Sequence, residues 1–244
     1  MAHALQWLRS LVFIIQMYVM LAVIGLGLAP LAMFSRKWAR FTIRLYCNWV
    51  RWSASWIVGL RSEIRGEVPQ GAVIVASKHQ SFFDILLIAS VMPQLKFIMK
   101  KELRWAPVIG MYAKRIGCIP VDRGKRGAVI KQMVAAVRAA ADDPSQLIIF
   151  PQGTRVAAGA KKPYKIGIAA LYEKTGQEVV PAATNVGVFW KRHGIMRYPG
   201  LAVVEFLPRI KQGHSTRVFM GELEAVVESA SDRLMAEAGF KAKL

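Results

Sequence analysis

The pattern of apolar and polar positions changes character once, near residue 60. Before that point, residues 11–34 read LVFIIQMYVMLAVIGLGLAPLAMF, with no charge and Gln16 as the main polar position. Such a run is long enough to cross a hydrocarbon core about 30 Å thick. Gly25, Gly27 and Pro30 leave a second geometry open, in which the segment bends and re-enters. The run is too long for the apolar part of a signal peptide and carries no clear small-residue cleavage motif. A helix buried in a soluble core is the alternative, and a poor one for so long an uncharged stretch.

The next stretch, SRKWARFTIRLYCNWVRWSASWIVGLR, is helical in period but different in kind. Arg36, Arg40, Arg44 and Arg51 are spaced by 4, 4 and 7. At about 100° per residue they fall within an arc of roughly 80°. Trp38, Trp49, Trp52 and Trp56 share the stretch. A basic stripe with tryptophans predicts an interfacial helix on anionic lipid. The same stripe would also suit the solvated face of a helix packed on protein. Residues 1–60 are therefore expected to form membrane-embedded and interfacial helices. Cations crowd the carboxyl-terminal side of the apolar run, which expects the remaining domain on the cytoplasmic face.

From residue 61 onward, short apolar runs alternate with helical stretches. Residues 72–76, 96–99, 117–121, 147–150, 179–183 and 202–207 read as strands. Residues 81–91, 128–141, 163–175 and 221–238 read as helices. This alternation predicts an α/β domain over 61–244, with a mixed, largely covered sheet flanked by helices.

Composition sharpens the picture. Lys and Arg number 34 against 15 Asp and Glu, a formal charge of +19, yet 54% of residues are hydrophobic. A disordered polycation would be poor in apolar residues. The combination points to an anionic surface as partner. Nucleic acid would account for the charge but not for the apolar start, so anionic membrane lipid is the expected partner and nucleic acid is not. Cys47 and Cys118 are the two cysteines. With no C-x-x-C pair, neither a structural metal site nor a disulfide framework is expected.

The chain has no G-x-S-x-G elbow, no Walker loop and no G-x-G-x-x-G. What stands out is Ser77-Lys78-His79-Gln80-Ser81-Phe82-Phe83-Asp84, directly after a predicted strand. An Asp in the first helical turn can reach back to an imidazole just before it, fix its tautomer and leave the other ring nitrogen free as a base. Asp84 also reads simply as a helix cap. A second segment, Phe150-Pro151-Gln152-Gly153-Thr154-Arg155, again follows a predicted strand. Gly153 lets backbone N–H groups approach an anion, and Arg155 offers a planar fork for phosphate. A plain turn with a solvated Arg is the alternative. The third, Gly117-Cys118-Ile119-Pro120-Val121-Asp122-Arg123, ends a strand in a charged pair that could be no more than a surface contact.

Taken together and in this order, H-x4-D, G-x-I-P-V-D-R, F-P-x-G-T-R and the V-x-P-A strand at 179–182 resemble the glycerolipid acyltransferase family, and within it the bacterial branch acting on 1-acyl-glycerol 3-phosphate. The resemblance covers about residues 71–184. It includes Lys100-Lys101-Glu102-Leu103 with Trp105, Pro107 and Gly110, and Lys165-x-Gly167. It implies an enzyme of the bacterial inner membrane that moves an acyl group from acyl-CoA or acyl-carrier protein to a lysophospholipid hydroxyl. The donor is a substrate, and no cofactor is implied. His79 and Asp84 would be catalytic. Arg123, Gln152, Gly153, Thr154, Arg155 and Lys165 would bind substrate. The family usually has Glu where this chain has Gln152, so Gln152 is expected to bear on acceptor choice. Another lysolipid, such as lyso-ornithine lipid, is the alternative acceptor, and a non-catalytic lipid binder the alternative of a different class.

Overall fold

The computed structural model describes residues 2–122, 126–139 and 144–241. In chain order the elements are α1 (Ala2–Gly27), α2 (Ala29–Phe34), α3 (Arg36–Val58), β1 (Leu60–Arg65), β2 (Val73–Ser77), α4 (Phe83–Val91), β3 (Leu95–Lys100), a 3₁₀ turn (Lys101–Trp105) and α5 (Ile109–Arg115). They continue with β4 (Ile119–Val121), α6 (Arg126–Arg138), β5 (Gln146–Ile149), α7 (Gly167–Thr175), β6 (Val179–Thr184), α8 (Val186–Phe189), β7 (Gly200–Phe206) and α9 (Thr216–Glu237). The six strands and four helices expected from the apolar pattern are all present, with ends shifted by a few residues. Strand β1 (LRSEIR) went unpredicted because four of its six residues are polar and it lies at a sheet edge. The short α5, α8 and the 3₁₀ turn carry too few residues to show a period.

The strands form one mixed sheet in the order β1-β7-β6-β2-β5-β3-β4. β6, β2, β5, β3 and β4 run parallel, β7 is antiparallel to β6, and β1 is parallel to β7. Side chains alternate across a strand, and here both faces are apolar. Val73 and Val75 of β2 join a core with α3 and α4, while Ile74 and Ala76 join a core with α6, α7 and α9. Helix α4 (FDILLIASV) is buried almost all round, which explains why its apolar residues show no stripe.

The amino-terminal helices lie along this body. Helices α1 and α3 are antiparallel, and the polar groups between them are paired. Gln16 Nε2 donates to Ser53 Oγ (2.9 Å), and Trp49 Nε1 donates to Gln16 Oε1 (2.9 Å). At the start of α1, Gln6 Nε2 donates to the carbonyl of Arg197 (2.8 Å) and Ser10 Oγ accepts from its N–H (2.9 Å). At the far end, the carbonyl of Gly25 accepts from Tyr112 OH (2.8 Å). A 26-residue helix is about 39 Å long, and both of its ends touch the same α/β body. Of the arginine stripe, Arg44 donates to the carbonyl of Pro93 and Arg51 to Ser62 and Ser90. These two are half-buried and reach protein groups. It is the tryptophan side of α3 that is open, with Trp56 76% exposed.

Gly25 is held by close approach. Val108 sits at φ 61°, costly for a β-branched residue, and its Cγ1 lies 2.3 Å from where a Cβ on residue 25 would stand. Gly25→Val should therefore destabilise the protein by about 1–3 kcal/mol through overpacking. An unchanged thermal midpoint would show that α1 is not held at this point.

Candidate active site

Strands β2 and β5 are parallel neighbours, with Val73 opposite Gln146 and Ala76 opposite Ile149. The turns that follow them leave the sheet at one edge, outside the carboxyl ends of the strands, where open α/β sheets bind ligands. His79 and Asp84 come from the first turn, and residues 150–155 from the second.

Asp84 is fully buried. Its Oδ1 lies 3.0 Å from His79 Nδ1. Its Oδ2 accepts from the backbone N–H groups of Gln80 and Ser81, both at 2.8 Å. The carboxylate is thus a cap and an orienter at once, and the two sequence alternatives are not exclusive. An acceptor at Nδ1 fixes the proton there and leaves Nε2 with a free lone pair. The imidazole stacks on Phe150 (centroids 4.0 Å, 21° between planes). The backbone carbonyl of His79 also accepts from the N–H of Val156 (2.7 Å), which binds the first turn to the second. His79 is only 8% exposed.

The second turn is glycine-dependent. Gly153 has φ 69°, and a Cβ there would stand 2.6 Å from Lys165 Nζ. The ammonium therefore lies over the turn, and the N–H of Lys165 donates to the carbonyl of Pro151 (2.9 Å). Lys165 was expected inside a helix from 163, but α7 begins at Gly167 and Lys165 precedes it. Thr154 and Arg155 stand half-buried on the turn. Arg155 Nη1 donates to the carbonyl of Arg192, and Arg192 Nη1 to that of Arg155 (3.4 Å each). Arg192 was missed by motif reasoning, although the run Lys191-Arg192-His193 marks it as basic surface. Arg123 lies outside the described residues. Its neighbour Asp122 pairs with Lys101 Nζ (2.6 Å) beyond β4, at the opposite end of the sheet from β1.

Gln152 is 1% exposed and turned toward α9. Its Nε2 lies 3.5 Å from Glu228 Oε1 of α9. Glu228 also pairs with Lys78 Nζ and accepts from Tyr164 OH (3.0 Å). Burial, and then the Glu228 charge, push the Tyr164 phenol well above its ordinary pKa. Among the described residues no group of three or more His, Cys, Asp or Glu is placed to hold a metal. Burial pushes the Cys118 thiol up to about 11, which leaves little thiolate for covalent chemistry.

The family model described as Acyltransferase matches residues 60–185, just over half of the chain. The 1-acyl-sn-glycerol-3-phosphate acyltransferase of Pseudomonas aeruginosa is 28% identical over 86% of this chain and 82% of its own length. The enzyme of that name from Limnanthes alba is 27% identical over 82% of this chain and 72% of its own. A solved structure, the 1-acyl-sn-glycerophosphate acyltransferase PlsC from Thermotoga maritima, covers 97% of this chain and all of its own with a TM-score of 0.79. At 19% identity it shows a shared fold.

The geometry makes a prediction about protons alone. Asp84→Asn keeps an oxygen to accept from Gln80 and Ser81 but turns an NH₂ toward His79 Nδ1. The ring proton should move from Nδ1 to Nε2. Nitrogen NMR of labelled histidine reads the tautomer directly, and an unchanged His79 pattern would contradict the assigned roles.

Proposed function

This chain belongs to the acyltransferase family, and we propose that it moves a fatty acyl group from a thioester donor to the free hydroxyl of 1-acyl-glycerol 3-phosphate, giving phosphatidate. The observation that carries this is the buried His79–Asp84 pair, whose free Nε2 shares a sheet edge with the Gly153–Arg155 turn and Lys165. A hydroxyl is a poor nucleophile at neutral pH. Nε2 takes its proton as the oxygen attacks the thioester carbonyl. Asp84 stabilises the imidazolium that forms. When the tetrahedral intermediate collapses, the C–S bond breaks and the proton on Nε2 passes to the leaving sulfur. Donor thiol and acylated lipid leave, and His79 is neutral again. No covalent enzyme intermediate is required, and the donor, acyl-CoA or acyl-carrier protein, is consumed as a substrate rather than held as a cofactor.

Arg155 and Lys165 serve the acceptor phosphate, as Arg123 does on the strength of its motif. Arg binds phosphate through a charge-assisted fork, roughly twice as strong as a neutral hydrogen bond.

The acceptor is a membrane lipid, and the amino-terminal helices suit it. His3–Gly27 is the one helix among the described residues long and apolar enough to cross a membrane, with mean hydropathy 2.2 and most of its surface uncovered. Because both its ends are bonded to the α/β body, it embeds along one leaflet. With Trp52 and Trp56 of α3, it seats the sheet edge at the headgroups of an inner membrane, on the cytoplasmic side.

Three measurements test this. With labelled donor and 1-acyl-glycerol 3-phosphate, His79→Ala should lower turnover by about 10²–10⁴-fold; near-normal turnover of the folded variant would remove His79 as base. Arg155→Ala should lower kcat/KM for the acceptor by roughly 10–150-fold, with donor KM changed less. A change confined to donor KM would move the phosphate assignment to the donor side. Finally, high salt and carbonate should leave the protein in the membrane fraction, because salt screens exposed charges but not an embedded apolar helix. Release by salt alone would reduce the attachment to electrostatic docking.

A further inference from the structure

Lys78 stands between the last residue of β2 and the base His79, and it is 1% exposed. A buried ammonium persists only when paired. Its partner is Glu228, which arrives from α9, 150 residues later in the chain. The other oxygen of Glu228 accepts from Tyr164 OH (3.0 Å), one residue before Lys165. Gln152 Nε2 is 3.5 Å from that same oxygen, and Gln152 Oε1 is buried without a hydrogen-bond partner. One carboxylate therefore touches the turn that carries the base, the turn that carries Arg155, and the segment that carries Lys165. A second carboxylate at 152 would crowd like charges around a single ammonium, and one of them would be driven to protonate. The neutral amide at 152 and the charge at 228 are complementary.

We propose that Glu228 is a positioning residue for acyl transfer, supplying from α9 the one carboxylate that neutralises buried Lys78 and so keeps the His79 turn in register with the Arg155 turn, and that Gln152 is neutral because that charge is already in place. The inference rests on the acyl-transfer assignment above. It does not make Glu228 a group that touches substrate. Its two oxygens are taken up by Lys78, Tyr164 and Gln152.

The test is a charge swap in the purified full-length protein, read by steady-state kinetics and by thermal midpoint. Glu228→Gln leaves Lys78 unpaired and should lower kcat by about 10-fold or more, with acceptor KM nearly unchanged. Gln152→Glu adds the second carboxylate and should lower both kcat and the midpoint. Gln152→Glu combined with Glu228→Gln restores one charge and should recover kcat to within about 3-fold of the wild type, the signature of coupling between neighbours. A simply structural contact at 228 would lower the midpoint of Glu228→Gln but leave the kcat of its folded fraction at the wild-type value. Additive losses, or a Glu228→Gln enzyme with wild-type kcat, would overturn the proposal. If Glu228→Gln does not fold, the double variant still decides, and its failure to fold as well would also overturn the proposal. Should the wild type transfer no acyl group at all, the assignment of acyl transfer fails separately. The midpoints alone then test the pairing: recovery in the double variant supports it, and no recovery refutes it.

Discussion

The parallel pairing of β2 with β5 is the constraint on which the site depends. Both strands are buried on both faces, so a slip of their register by one residue would exchange the side chains of two cores at once. The register is therefore strongly fixed, and with it the relative height of the two turns beyond the strand ends. The hydrogen bond from Val156 to the carbonyl of His79 and the stacking of the imidazole on Phe150 can form only at that height. Asp84 completes the arrangement within the first turn, where two backbone donors and the imidazole converge on one carboxylate. The chemistry is local, but its precision comes from sheet packing.

The same body fixes how the apolar helices can meet a bilayer. Free of other contacts, the first helix has the length and composition of a membrane span. The contacts of Gln6 and Ser10 at one end and Gly25 at the other leave its apolar side outward and its axis along the protein. Arg51 reinforces this from α3, since its guanidinium crosses to Ser62 and Ser90. Fixing these helices to the sheet also fixes the distance from their apolar side to His79, which a flexible tether would leave free.

Much of this was legible in the sequence, for identifiable reasons. Strands such as 72–76 and 147–150 are short apolar runs bounded by turn residues, and the His79–Asp84 pair falls within a single turn, where spacing determines contact. The arginine stripe was misjudged at Arg44 and Arg51, because helical periodicity shows that residues share a face but not what that face meets. The inward turn of Gln152 was not legible for a related reason: the direction of its side chain is set by α9, which no local pattern predicts. Glu228 and Lys78 were invisible as a pair because their contact spans 150 residues and belongs to tertiary packing alone.

Charge is divided across the His79 turn in a way that bears on how a lysophosphatidate-like anion would be received. Behind the turn, Asp84 is fully buried and Glu228 largely so, and each is satisfied by specific donors. In front, Arg155, Lys165 and Arg192 share the edge, and among the described residues none of them pairs with a carboxylate. Like charges gathered at a surface repel, and the cost is relieved only by an anion that bridges them. A phosphate dianion does this, whereas a chloride or a single exposed carboxylate does so weakly. The buried carboxylates cannot take that role, since their oxygens are already occupied on the far side of the turn. The front cations thus stay available to an anion, and in the proposed reaction the imidazole between the two layers would meet the acceptor hydroxyl on that side.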